Sequence, residues 1–134
     1  MSNARNIASI AGEDVLNASN EIVPVYACRA WVNFDGTDPF SPNPSTSAIR
    51  DSGNVSSIYE NGTGDYTVNF ATAMPDANYS AIGMSTDQAY GSLTFIEGTG
   101  ASYTASSFRV QVRANNSTTP GLGNPAIVSI AVFR

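Results

Sequence analysis

The side chains able to do chemistry in this sequence are few: eleven Asp and Glu, six Arg, one Cys, and no His or Lys. Without histidine there is no general base titrating near neutral pH and no histidine-based triad. Without lysine there is no Schiff base and no complete phosphate-binding loop. A single cysteine builds neither a zinc site nor an internal disulfide. Carboxylates remain, and a pair about 5–10 Å apart can cleave a glycoside. The candidates are Asp35, Asp38, Asp51, Glu60, Asp65, Asp76, Asp87 and Glu97. All but one or two stand beside Gly, Ser or Asn in turn-rich stretches, where such side chains hydrogen-bond the local backbone and make turns. Asp35-Gly36-Thr37-Asp38 resembles the opening of a calcium loop, yet the bidentate Glu at the loop's twelfth position is missing. The expectation is a protein that is not an enzyme, with no catalytic residue, metal or cofactor.

Binding is the chemistry left. Tyr90 and Tyr103 lie in polar stretches flanked by Gly and Ser, whereas Tyr66 and Tyr79 read as core. With Asp87, Gln88, Asn115 and Asn116 nearby in turn-rich segments, the two tyrosines offer apolar ring faces beside amide and carboxylate groups. That is the combination a glycan requires. No cluster of positive charge accompanies them, which favours a neutral polysaccharide over a phosphorylated or sulfated one. A net charge of −5 argues against a nucleic-acid partner. No apolar run approaches the roughly 18 residues of a spanning helix, so no membrane insertion is expected. The Asn-x-Ser/Thr triplets headed by Asn17, Asn54, Asn61, Asn78, Asn115 and Asn116 are expected by chance in so Asn- and Ser-rich a chain, and residues 1–22 are not expected to act as a secretory signal.

The elements that must position these residues are strands. Ile and Val number 19 against 3 Leu, and branching at Cβ suits the pleated strand. From Val23 the apolar pattern has period two. It runs through Tyr26, Cys28, Ala30, Val32 and Phe34, and Cys28 is expected to pack among them as a small hydrophobe. Val25, Ala27 and Trp31 make the opposite face apolar as well, so they are assigned to a subunit interface. Further strands are expected at Ile49, Val55–Tyr59, Tyr66–Phe70, Tyr79–Ser85, Leu93–Glu97, Phe108–Val112 and Ile127–Phe133. Asn61-Gly62-Thr63-Gly64 reads as a hairpin turn, and residues 35–48 and 115–124 read as loops. Seven or eight strands at this spacing predict an all-β fold, an antiparallel, jelly-roll-like β-sandwich over residues 23–134. Residues 1–22 differ. Ile7, Ile10 and Val15 at helical spacing predict a short amphipathic arm too weak to fold alone, suited to anchoring on a larger partner.

Between residues 27 and 79 the sequence resembles a β-domain found in tail-fibre and related virion proteins of tailed phages, especially aquatic and cyanobacterial ones. The carriers are Ala27-Cys28-Arg29-Ala30-Trp31-Val32-Asn33-Phe34-Asp35-Gly36-Thr37, then Ile49-Arg50-Asp51-Ser52-Gly53-Asn54-Val55-Ser56-Ser57-Ile58. They continue as Asn61-Gly62-Thr63-Gly64-Asp65-Tyr66-Thr67-Val68-Asn69-Phe70 and Ala73-Met74-Pro75-Asp76-Ala77-Asn78-Tyr79. Residues 38–48 read as an insertion between the first two motifs. The resemblance implies a virion structural protein, usually a homotrimer, without cofactor and located on the tail or capsid surface. Its partners would be itself, a tail, baseplate or major capsid protein, and host cell-surface polysaccharide. The leading expectation is a short tail fibre or fibre head contacting the host. The alternative is a capsid decoration or cement protein holding neighbouring shell subunits together. A glycan-degrading enzyme is a distant third.

Overall fold

The computed structural model describes residues 14–16, 22–24, 27–86, 103–114 and 121–134. Among these residues there are strands and no helix. The strands are β1 (Asp14–Leu16), β2 (Ile22–Pro24), β3 (Cys28–Phe34), β4 (Ile49–Gly53), β5 (Val55–Gly62) and β6 (Asp65–Phe70). They continue as β7 (Ser80–Thr86), β8 (Ser107–Gln111), β9 (Arg113–Ala114), β10 (Gly121–Leu122) and β11 (Ile127–Phe133). A four-stranded sheet, ordered β4-β3-β11-β7, faces a three-stranded sheet, ordered β5-β6-β8. Every pairing in both is antiparallel. The fold is the antiparallel β-sandwich expected from the alternating pattern.

Alternation decides which face of each strand turns inward. Ala30, Val32 and Phe34 of β3 and Val128, Ile130 and Val132 of β11 meet Ile58 of β5, Tyr66 and Val68 of β6, and Phe108 and Val110 of β8 in one buried cluster. Phe34 meets Tyr66 edge to face with ring centroids 5.1 Å apart, a geometry that matches positive ring edge to negative ring face.

Two tight connections fix the register. The Asn61–Gly64 turn closes the β5–β6 hairpin with Gly62 opposite Asp65. Gly64 takes φ +65°, and a Cβ there would stand 2.6 Å from the Gly123 backbone nitrogen, so glycine is required twice over. The other connection is a single residue, Asn54, which carries the chain from β4 in one sheet to β5 in the other at φ 56°. Asn enters this left-handed region more readily than most residues. Its side chain repays the conformation: Oδ1 accepts the Thr72 N–H at 2.7 Å, while Nδ2 donates to the carbonyls of Thr72 and Arg29 at 3.1 and 3.2 Å.

The 35–48 loop folds back onto the sandwich. Phe40 is buried against Tyr66, and Ala48 joins the same core. Ser45 pairs with Ile58 as an isolated bridge, and the Ser41–Pro42 and Asn43–Pro44 peptides are cis.

Three expectations are revised. Val15 lies in β1, which pairs with β2 as a small antiparallel ladder, so the arm is extended there rather than helical. The apolar residues of the two strands, Val15, Leu16, Ile22 and Val23, are mostly β-branched, which favours pairing over helix. The other two anchoring residues, Ile7 and Ile10, lie outside the described residues. Cys28 is exposed rather than packed. The β3–β11 register shifts beside it, with Val132 opposite Ala30 but Phe133 opposite Cys28. The extra residue, Arg29, bulges the strand and breaks the alternation that would have turned Cys28 inward. Trp31, assigned from sequence to an interface, is 41% exposed on the face of β3 opposite the core. Lastly, the segment read as the loop 115–124 contains β10, which pairs with β9.

Candidate functional site

The expected glycan-binding residues Asp87, Gln88, Tyr90, Asn115 and Asn116 lie outside the described residues, as do Val25 of the expected interface and the strand read at Leu93–Glu97. Tyr103 is described. It is 39% exposed and stacks on Tyr79 at 5.0 Å and on Phe108 at 6.0 Å between centroids. It is the outer member of an aromatic cluster that continues inward to Phe70, so one ring edge faces solvent while its body is part of the packing. The Tyr79 hydroxyl stands within 3.0 and 3.1 Å of the Thr104 and Ser107 carbonyls. Burial, with Tyr103 second, pushes its pKa up to about 12.

Asp35, Asp38 and Asp65 are engaged in building the fold. Asp35 accepts the backbone N–H and the hydroxyl of Thr37 at 2.9 and 2.6 Å and pairs with Arg50 at 2.8 Å. The Thr37 hydroxyl, then its N–H and the Arg50 charge, hold its pKa below the ordinary carboxylate value against the opposing effect of burial. Asp38 accepts the Phe40 N–H at 2.8 Å and lies within 3.2–3.4 Å of the Ser45 and Ser47 hydroxyls. Both residues of the calcium-like loop therefore serve the turn, and among the described residues no group of carboxylates or cysteine is arranged to hold a metal.

Asp65 is buried on β6. It accepts a bidentate pair of bonds from Arg109 at 2.7 and 2.6 Å and a bond from Gln111 at 2.8 Å, both from β8, with Asn61 at 3.2 Å. The Arg109 bonds, then those from Gln111 and Asn61, hold its carboxyl below the ordinary range against desolvation. Nearby, the Tyr66 hydroxyl lies 3.0 Å from the Gly36 carbonyl and 2.9 Å from Asn124 Oδ1, which also accepts the Gly64 N–H. Burial pushes the Tyr66 pKa well above that of a free tyrosine. These groups tie the loops at one end of the sandwich together.

Among the described residues, the outer face of the four-stranded sheet carries apolar side chains that the core does not use. Register sets two rows across it. Gly53, Trp31, Ala131 and Ile82 form one; Asp51, Asn33, Ser129 and Met84 form the next. Small side chains on the central β11 make a floor, with Trp31 on one side and Ile82 and Met84 on the other. The result is an open groove of about 410 Å³. Ile82 and Met84 are 55% and 56% exposed. The indole of Trp31 leans over Gly53, where a Cβ would come within 2.5 Å of Nε1. Asn33 Nδ2 donates to Ser129 Oγ at 3.2 Å, so the polar atoms of the floor are partnered within the sheet. No side chain lining the groove titrates, and the lone hydroxyl, that of Ser129, has no base beside it. Such a groove can bind an apolar partner; it has no group to transfer a proton.

Ala27 and Trp31 of the expected interface are both described. Ala27 is half-buried just before β3, and Trp31 stands on this outer face. Sequence reading missed the other wall, Ile82 and Met84. The period-two pattern of β7 puts them on one face, but the pattern does not say whether that face is inner or outer.

This is an antiparallel β-sandwich with an exposed, non-titrating apolar groove. Comparisons with protein-family models, curated proteins and solved structures return no match.

Proposed function

We propose that this chain is a structural head of a phage particle, a short tail fibre or fibre head that assembles as a homotrimer and meets neutral glycan on the host surface. The observation that carries the reading is the exposed apolar groove of the outer sheet face, lined by Trp31, Ile82 and Met84 and by no titrating side chain. That is a surface made for contact rather than for turnover. The motif resemblance over residues 27–79 supplies the particle. The engagement of Asp35, Asp38 and Asp65 in turns and strand pairing supports the non-enzymatic side of the reading.

Copy number in purified particles tests it. Quantitative mass spectrometry is expected to find a few to tens of copies per virion, with density on the tail in a particle reconstruction. Hundreds of copies on the shell would replace the fibre reading with the cement reading. Absence from particles would sink both.

A further inference from the structure

Asn61 is the only asparagine in the chain that is followed by glycine. In such a pair no side chain shields the glycine nitrogen from the asparagine side-chain carbonyl, and the two can close into a ring. The pair stands at the end of the β5–β6 hairpin. The register shifts between Glu60 and Gly62, so the ladder passes Asn61 over. Both residues are exposed, and a Cβ placed on Gly62 would meet nothing within 4 Å. We propose that Asn61 is a site of spontaneous deamidation, whose product sets a second carboxylate against Asp65 and loosens the Asp65–Arg109 ion pair that joins β6 to β8.

The reaction needs water and nothing else. The Gly62 backbone nitrogen attacks Asn61 Cγ and closes a succinimide. The Cγ–Nδ2 bond breaks, and the amide nitrogen leaves as ammonia with the proton that Gly62 gives up through solvent. Water then opens the ring at Cγ to leave aspartate, or at the main-chain carbonyl to leave isoaspartate. The fold governs both the rate and the consequence. Asn61 Nδ2 donates to Asp65 Oδ1 at 3.2 Å and to Thr67 Oγ1 at 2.9 Å, and Gly62 stands opposite Asp65. The ring therefore closes when the end of the hairpin opens locally. The one Asp-Gly pair, Asp35–Gly36, has the opposite setting. Gly36 is buried, its N–H donates to the Pro125 carbonyl at 2.9 Å, and a Cβ there would stand 2.6 Å from that oxygen. That nitrogen is held away from its neighbour's side chain. At position 61 the product carboxylate has no N–H to give Asp65 and brings a like charge where the donor had been. Asp65 is left with Arg109 and Gln111. Isoaspartate also adds a carbon to the backbone and puts Gly62 out of register with Asp65.

The test follows the full chain through prolonged incubation in mildly alkaline buffer. Peptide mapping by mass spectrometry is expected to find aspartate and isoaspartate accumulating at position 61. Gly62→Ala puts a methyl beside the attacking nitrogen and should slow the conversion several-fold. Gly62 lies outside the left-handed region and the methyl enters open space, so far-UV circular dichroism should not change. Thr67→Val removes the shorter of the two bonds that restrain the amide. It should speed the conversion by roughly 2- to 10-fold, the gain in local opening that the loss of one hydrogen bond allows. In urea beyond the unfolding midpoint that gain should vanish, while Gly62→Ala stays slow. For the consequence, Asn61→Asp should show a lower urea midpoint than Asn61→Ala, which loses the same bonds without adding charge. Three results overturn the site: a folded wild type that keeps Asn61 intact while the unfolded chain converts, a Gly62→Ala variant that converts as fast as wild type, or a Thr67→Val variant that converts no faster. An Asn61→Asp variant as stable as Asn61→Ala would overturn the loosening of the Asp65–Arg109 pair.

Discussion

Asn54 shows how much one side chain can carry. It holds a left-handed backbone between two strands of different sheets and makes three side-chain hydrogen bonds across the corner. Asn54→Ala loses those bonds and pays the left-handed penalty of an alanine, about 2–4 kcal/mol together. Asn54→Gly keeps the backbone free and should lose less. Urea midpoints for the two variants check the order; an alanine variant as stable as the glycine one would show that φ is not constrained there. Asp65 makes the complementary case for charge. Its folded pKa is depressed by Arg109, Gln111 and Asn61, so its contribution is present above the unfolded carboxylate pKa of about 3.9 and disappears as pH falls through the lower folded value. Asp65→Asn should therefore cost about 2–3 kcal/mol at neutral pH, where Arg109 loses a charged acceptor. The gap to wild type should close in acid. Melting curves between neutral pH and strong acid test this, and a gap independent of pH would rule out the ionic account.

At the scale of elements, the aromatic cluster ties Tyr79, just before β7, and Tyr103 to Phe108 on β8. Tyr103 forms an isolated bridge with Phe108 and stacks on Tyr79. Its removal should cost about 1–2 kcal/mol, from aromatic pairing worth about 0.5–1.5 kcal/mol per contact. Phe108→Ala, at full burial, should cost about 3–5 kcal/mol. Denaturant unfolding of both variants checks the ratio, and equal losses would mean that Tyr103 is core rather than rim. A glycan-adsorption assay on Tyr103→Ala must accordingly be read at a temperature where the variant remains folded. The strands themselves were legible. β6 alternates cleanly in sequence, β11 reads as a short apolar run whose alternate burial only the fold reveals, and Asn61–Gly64 announces its hairpin through residues that tolerate positive φ. Phe40 was not legible. It lies among prolines and turn residues, and only the loop's return onto Tyr66 buries it. The sequence marks Asn54 only as the head of a chance triplet, because its partners, Arg29 and Thr72, are brought to it by the fold.

For the whole molecule, the decisive event is non-local. The last strand, β11, lies between β3 and β7, so the outer groove exists only once the C-terminal segment has inserted. Trp31, Ser129 and Met84 come from three distant parts of the chain, and no local periodicity could have joined them. The same topology separates what the fold needs from what it does not. The described core draws on nothing before Ala30, whereas Val128, Ile130 and Val132 of β11 are all buried in it. Removing residues 127–134 would expose the inner edges of β3 and β7 together and take three side chains from the core, each worth about 1.5–3 kcal/mol of burial. That is comparable to the entire stability of a domain this size, so this truncation should abolish cooperative unfolding. A chain begun at Ala27 lacks the β1–β2 ladder and the arm but keeps every described core residue. It should melt cooperatively, with near-native far-UV circular dichroism. If the arm anchors the head, the same shortened chain should be missing from purified particles when it replaces the full one. A shortened chain that incorporates at the normal level would end the anchoring role, and one that fails to fold would place the first 26 residues inside the head.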